Sequence, residues 1–113
     1  VSFQGTYYGG FLDGHWSYFY LDGQLKAKGQ HKKGEWHGHW VSYYADGTLK
    51  SEGYLDNGKR KGNWVSFWQN GNLQGEGKFW RDMKFGSWKN FNLDGTDWKD
   101  VSGFYLFGIK LSD

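Results

Sequence analysis

Along residues 40–53, one set of alternate positions holds Trp40, Tyr44, Leu49 and Gly53, while the other holds Tyr43, Lys50 and Glu52. Period-two alternation of this kind is the mark of β-strands with two distinct faces. At the centre of the stretch stands Asp46-Gly47, and Asp-Gly between alternating runs signals a hairpin, read here as a two-residue type I′ turn. That loop places Ala45 opposite Thr48, Tyr44 opposite Leu49, Ser42 opposite Ser51 and Trp40 opposite Gly53.

The same pattern returns along the chain. Gly-x-Trp occurs at Gly14-His15-Trp16, Gly38-His39-Trp40, Gly62-Asn63-Trp64 and Gly86-Ser87-Trp88, each 24 residues from the last. The turn pairs Asp22-Gly23, Asp46-Gly47, Asn70-Gly71 and Asp94-Gly95 keep step. A fixed period in this range marks a repeat array, in which each hairpin needs its neighbours to bury anything. The predicted fold is all-β: a single-layer antiparallel meander of tandem hairpins forming a twisted open trough. One unit covers residues 1–113, with a half repeat at 1–13, repeats from about 14, 38, 62 and 86, and a C-terminal cap at 98–113.

In each of the first three hairpins, a Trp falls opposite a residue without a side chain: Trp16 with Gly29, Trp40 with Gly53, Trp64 with Gly77. A sheet makes room for an indole in this way, so these six residues, with Trp88, are assigned a structural role. The inner face is read as the one carrying the Trp row at ~10 Å intervals, with Tyr18, Tyr20, Leu25, Leu49, Trp68 and Leu73. The fourth unit degenerates. Asn90 and Asn92 replace inner-face residues, Asp97 stands where a Leu is expected, and the returning glycine arrives late, as Gly103. Terminal repeats are atypical because they cap the array. Residues 104–111 read as a last strand or short hairpin around Gly108. No segment has a 3.6-residue apolar period, so helix should be nearly absent.

Aromatic residues make up 22% of the chain, yet mean hydropathy is −0.85, so the apolar material is concentrated in rings. No stretch is apolar enough to be a membrane-spanning helix. The chain has no Cys, which removes disulfides and thiolate chemistry, and no Pro, which suits continuous strand pairing. Val1 in place of an initiator Met is expected of a trimmed or processed chain. Net charge is only +2, but it is distributed by the repeat. Asp22, Asp46, Asp94 and Asp97 line the Asp-Gly edge. The connections along the other edge carry Lys32, Lys33, Lys59, Arg60, Lys61, Arg81 and Lys84. An acidic edge and a basic edge are therefore expected.

Tandem Gly-x-Trp-x-x-aromatic-aromatic-x-Asp-Gly-x-Leu units, followed by Gly-x-aromatic and a Lys/Gly-rich connection, resemble MORN repeats. The resemblance is strongest to a bacterial variant often labelled antitoxin-like, and it covers nearly the whole chain. It departs from the classical unit in its 24-residue length and Trp-led first strand. The resemblance implies an elongated meander of hairpins and roles in protein binding, membrane or phosphoinositide association and, in some bacterial members, toxin neutralisation. It brings no catalytic residues.

The residues themselves carry no nucleophile elbow, P-loop or dinucleotide fingerprint. His31, His37 and His39 invite a metal reading, but His39 shares its repeat position with His15, Asn63 and Ser87, a generic polar slot. Equivalent positions two strands on lie ~10 Å apart, which also separates Glu52 from Glu76. No catalytic residue, metal or cofactor is expected. Binding is the better reading. Tyr18, Tyr20, Tyr44 and Trp68, near the Asp-Gly rim and bearing polar handles, are the candidate partner-binding residues. Another protein is the expected partner. Self-association through open strand edges and anionic-lipid binding through the basic edge are the alternatives, and near-neutral charge disfavours nucleic acid.

Overall fold

The computed structural model describes the backbone of residues 2–8 and 11–112 and the side chains of residues 14–112. Ten strands, β1 (Ser2–Tyr8), β2 (Phe11–Phe19), β3 (Leu25–Lys32), β4 (Glu35–Tyr43), β5 (Leu49–Asp56), β6 (Lys59–Phe67), β7 (Leu73–Trp80), β8 (Met83–Asn90), β9 (Gly103–Leu106) and β10 (Ile109–Ser112), form one antiparallel sheet in chain order. No described residue is helical. The molecule measures 46 × 31 × 14 Å, the thickness of a single layer. Strand β2 begins at Phe11, and residues 9 and 10 before it lie outside the described residues.

Turn chemistry differs between the two edges, and the expected type I′ turns lie on the edge opposite the Asp-Gly pairs. At Asp46-Gly47 the Gly47 N–H donates to the Tyr44 carbonyl at 2.9 Å, and the Tyr44 N–H donates to the Thr48 carbonyl at 2.8 Å. Only Gly47 has positive φ, at 91°. This is a three-residue loop, a type I turn closed by a left-handed glycine. Tyr44 therefore faces Thr48 rather than Leu49, and Leu25, Leu49 and Leu73 pair with Phe19, Tyr43 and Phe67. One further step into the sheet the register shifts back, so Ser42 does face Ser51 and Trp40 does face Gly53. The type I′ turns are Lys33-Gly34, Asn57-Gly58, Arg81-Asp82 and Phe107-Gly108, each with positive φ at both residues. Residues 104–111 thus form the expected short hairpin.

The Gly-x-Trp segments are bulges. On β6, Gly62-Asn63-Trp64 pairs in register with β7, but towards β5 two extra residues are accommodated between the pairs Glu52–Val65 and Tyr54–Lys61. Positive φ at Gly62, 73°, lets the strand arch there. The space opened lies over Gly53, and the Trp64 ring fills it; the Trp64 indole N–H donates to the Tyr54 carbonyl at 2.9 Å. Trp88 does the same over Gly77, donating to the Lys78 carbonyl at 2.9 Å. The expectation that each glycine makes room for the Trp paired with it is therefore corrected. The ring that occupies the space comes from the following repeat. Phe79, Trp88 and Tyr105 form the buried cluster, with Trp64 against it, and Trp16 is 2% exposed at the other end of the row.

Candidate functional site

Close to the type I′ turns, one cross-strand pair recurs on the Trp-bearing face: His31 with Trp36, Leu55 with Arg60, and Phe79 with Lys84. In the first repeat the pair is aromatic. His31 stacks on Trp36 at 3.8 Å between centroids, meets the Trp16 ring edge-on at 5.6 Å, and lies 3.4 Å from the Tyr18 hydroxyl through Nε2. Burial holds the His31 pKa below its ordinary value, partly offset by the nearby Gly34 backbone and Glu35 carboxylate.

In the next two repeats a cation replaces the Trp36 indole. The Arg60 guanidinium lies 4.0 Å over the Phe79 ring, and its Nε donates to Asp82 Oδ1 at 2.9 Å. The same carboxylate oxygen accepts the Arg60 backbone N–H at 2.7 Å. Burial works against ionisation of Asp82, but these two bonds and the Arg60 and Lys59 charges hold its pKa below the usual carboxylate value. Lys84 Nζ lies 4.8 Å over Trp88 and 5.1 Å over Tyr105. Desolvation, then repulsion from Arg60, lowers its pKa. No carboxylate among the described residues pairs with it.

Between these cations the face is recessed into a cavity of about 390 Å³, with Trp64, Phe79 and Trp88 rings and the polar Ser51, Ser66 and Asn90 in its lining. The degenerate fourth unit builds one wall. Its late glycine still pairs with Trp88, and the extra residues form a turn in which the Val101 and Ser102 N–H groups donate to the Trp98 carbonyl. That turn brings Trp98 and Val101 to the cavity. Asn90 Nδ2 donates to the Val101 carbonyl at 3.1 Å, and the Ser102 hydroxyl bonds the Asn90 backbone at both ends.

The four expected partner-binding residues do not form one cluster. The Tyr20 and Tyr44 hydroxyls donate to the Tyr43 and Phe67 carbonyls at 2.9 and 2.6 Å, and Trp68 Nε1 donates to Phe91 at 3.0 Å. Each polar handle thus reaches the same point 23 residues on and ties successive repeats. Tyr18 belongs to the His31 and Trp36 group, 5.5 Å from Trp36.

Nor is the basic edge uniformly cationic. Lys33 and Arg81 occupy turn positions, and in the strand register Lys32 stands opposite Glu35 and Lys59 opposite Asp56. Lys61 Nζ lies 3.9 Å from Asp56, and Lys61 and Arg81 flank the Trp80 ring at 5.8 and 5.5 Å. Only Arg60 and Lys84 of the seven are drawn to the cavity. On the opposite face His37 approaches Asp56 at 3.5 Å and His39 approaches Glu52 at 3.1 Å. A separate apolar cavity of about 200 Å³ between Trp80, Met83, Phe85, Leu106 and Phe107 was not expected, although the crowding of Phe104, Leu106, Phe107, Ile109 and Leu111 is visible in the sequence.

The family model for the MORN repeat variant matches residues 12–33, 36–59 and 60–81, more than half of the chain. The chain belongs to the MORN-repeat family. The matched MORN units are the regular ones, and the match stops before the unit whose Asn90, Asp97 and 98–102 turn shape the cavity. No curated protein matches this MORN array. MORN repeats form modules often involved in binding, and in this one the recess lies where the repeat pattern breaks.

Proposed function

We propose that this MORN array is a non-enzymatic protein-binding module of the antitoxin or immunity kind, which holds its partner on the Trp-bearing face. One observation carries the reading: the departures from the repeat converge. Asn90 in place of Ser42 and Ser66 and the inserted turn bearing Trp98 meet the cations Arg60 and Lys84 at one cavity. Where a repeating lattice breaks its own rule at one place, function is the expected reason. The rings of Tyr18, Tyr20, Tyr44 and Trp68 add surface elsewhere along the array. The bacterial antitoxin-like resemblance supports the class of partner.

The test uses Trp98→Ala, since the Trp98 side chain lines the cavity at 37% exposure and makes no hydrogen bond of its own among the described residues. A single protein that co-purifies stoichiometrically with the chain, and is lost with Trp98→Ala while the fold persists, is the expected result. Capture unaffected by the change would move the site elsewhere; absence of any stoichiometric partner would remove the reading.

Self-association is a second reading, favoured by the apolar end of the array. Phe107, Ile109 and Leu111 are 64%, 65% and 58% exposed on the terminal hairpin, beside an edge strand with no further neighbour among the described residues. Light scattering decides it: mass should rise with concentration for the parent chain and not for Phe107→Glu. The lipid reading has less support, because Glu35, Asp56 and Asp82 alternate with the basic residues of that edge.

A further inference from the structure

Lys84 is an unusual lysine for a half-exposed sheet. A lysine that serves solubility lays its stem on apolar surface and extends its head into water. Here the ammonium is drawn inward over Trp88 and Tyr105, at 4.8 and 5.1 Å. It is also placed near a second cation, Arg60, which repels it. Desolvation and like-charge repulsion both oppose this arrangement, and among the described residues the two ring faces are the counterweight.

Arg60 is held for a similar purpose. Its backbone N–H and Nε both donate to Asp82 Oδ1, and its plane rests on Phe79. The guanidinium is thereby fixed through one nitrogen, and its two Nη groups donate to no protein group among the described residues. A guanidinium oriented from one side with free terminal nitrogens is prepared for bidentate pairing with a planar anion. Ser51, Ser66 and Asn90 add uncharged polar groups to the lining, while Trp64, Trp88 and Trp98 add rings.

We infer that Arg60 and Lys84 together form a carboxylate-recognition site for an acidic side chain presented by a protein partner, with an apolar neighbour of that residue resting on the surrounding indoles. The inference rests on the protein-binding reading above and names the chemistry of the partner. A carboxylate suits the pair because a planar anion matches the guanidinium fork of Arg60, and Lys84 lines the same cavity.

A displayed random peptide library selected against the whole chain tests this directly, with parallel selections against Lys84→Gln, Lys84→Met and Arg60→Gln. Lys84→Met keeps the stem over Trp88 and removes only the charge, so it stands in if the Gln variant fails to fold. Selected peptides should be enriched in Asp or Glu beside an apolar residue. A synthetic copy of the best of them should bind about tenfold or more weakly to either Lys84 variant, the range expected for a charged hydrogen-bonded contact. Its Gln-for-Glu counterpart should lose as much. Selection without acidic enrichment, or acidic binding that survives Lys84→Met and Arg60→Gln, would overturn the site. So would uptake on phosphatidylserine but not phosphatidylcholine vesicles that depends on Lys84 without any acidic peptide being selected, which would assign the pair to a membrane surface. If a stoichiometric partner is lost with Trp98→Ala but retained by Lys84→Met, the carboxylate site falls and the binding module stands. If acidic peptides bind through Lys84 but no partner co-purifies, the reverse holds.

Discussion

The Trp64 indole lies over Gly53, a residue paired in register with Trp40 of the preceding repeat. Each strand glycine of this kind thus separates two indoles, one paired with it and one folded onto it. A Cβ on Gly53 would fall inside the Trp64 ring, as one on Gly77 would fall inside Trp88. The backbone at both positions is ordinary strand, so the requirement for glycine is steric rather than conformational.

Gly53→Ala should therefore destabilise the chain by about 1–3 kcal/mol, the usual cost of overpacking. Gly71→Ala is the contrasting change: nothing lies within 4 Å of its Cβ, but φ is 91°. Its cost should be backbone strain alone, ~1–2 kcal/mol. Denaturant melts distinguish the two mechanisms when Trp64→Leu is added, since the smaller side chain should relieve Gly53→Ala and leave Gly71→Ala unchanged.

Removal of one inter-repeat tie is the next test. Tyr44→Phe deletes the hydroxyl that donates to the Phe67 carbonyl at 2.6 Å and leaves the ring in place. The expected loss is ~0.5–1.5 kcal/mol. Tyr20→Phe should behave alike, since its hydroxyl makes the equivalent bond to Tyr43. A shift in unfolding midpoint at unchanged slope would be the signature, and no shift in either variant would mean that these bonds do not hold the repeats together.

Acid should act through His31. Its pKa is lowered in the folded chain by burial, and its Nδ1 is buried without a partner. Below pH 6.5 the unfolded chain takes up a proton that the folded chain resists, so stability falls as pH drops from the unfolded value towards the folded one. His31→Phe should be insensitive to this titration. The stability difference between parent and variant should be constant above pH 6.5 and move in favour of the variant below it. A difference that stays level from pH 7 to 5 would show that His31 protonates freely in the folded state.

The Asp of the Asp-Gly turns acts as an acceptor. Asp46 Oδ1 accepts the Thr48 N–H at 3.0 Å, and Asn70 Oδ1 accepts the Asn72 N–H at 2.9 Å in the equivalent turn. Bonds from the Thr48 side chain and backbone hold the Asp46 pKa below its ordinary value. Asp46→Asn, which keeps an acceptor but not the charge, should thus melt below the parent near neutral pH and converge with it in acid, and Asp46→Ala should melt lower than both. With folded pKa depressed, the carboxylate contribution is present above the unfolded value of 3.8 and is lost as pH falls through the folded one. Asp46→Asn should lack that acid-dependent portion, which thermal melts between pH 5 and 2 would measure.

By itself the sequence determined the number of hairpins, their phase and the meander, because turn chemistry and period-two alternation act over a few residues. It also specifies the pairing of Trp40 with Gly53, although the turn between them is a three-residue loop rather than a type I′ turn. The loop at Asp46-Gly47 has one more residue than a type I′ turn, and the register shift between Ser42 and Tyr43 compensates for it. Two local irregularities of opposite effect left the pairing unchanged. Only the tertiary structure decided which indole covers Gly53, where the Tyr44 hydroxyl bonds, and that Arg60 and Lys84 leave the basic edge for the Trp-bearing face. These are contacts between successive repeats. They depend on the bulges at Gly62 and Gly86, where positive φ lets the strand arch and carry the following Trp over a glycine of the neighbouring strand, a contact that exists only once the two strands are paired.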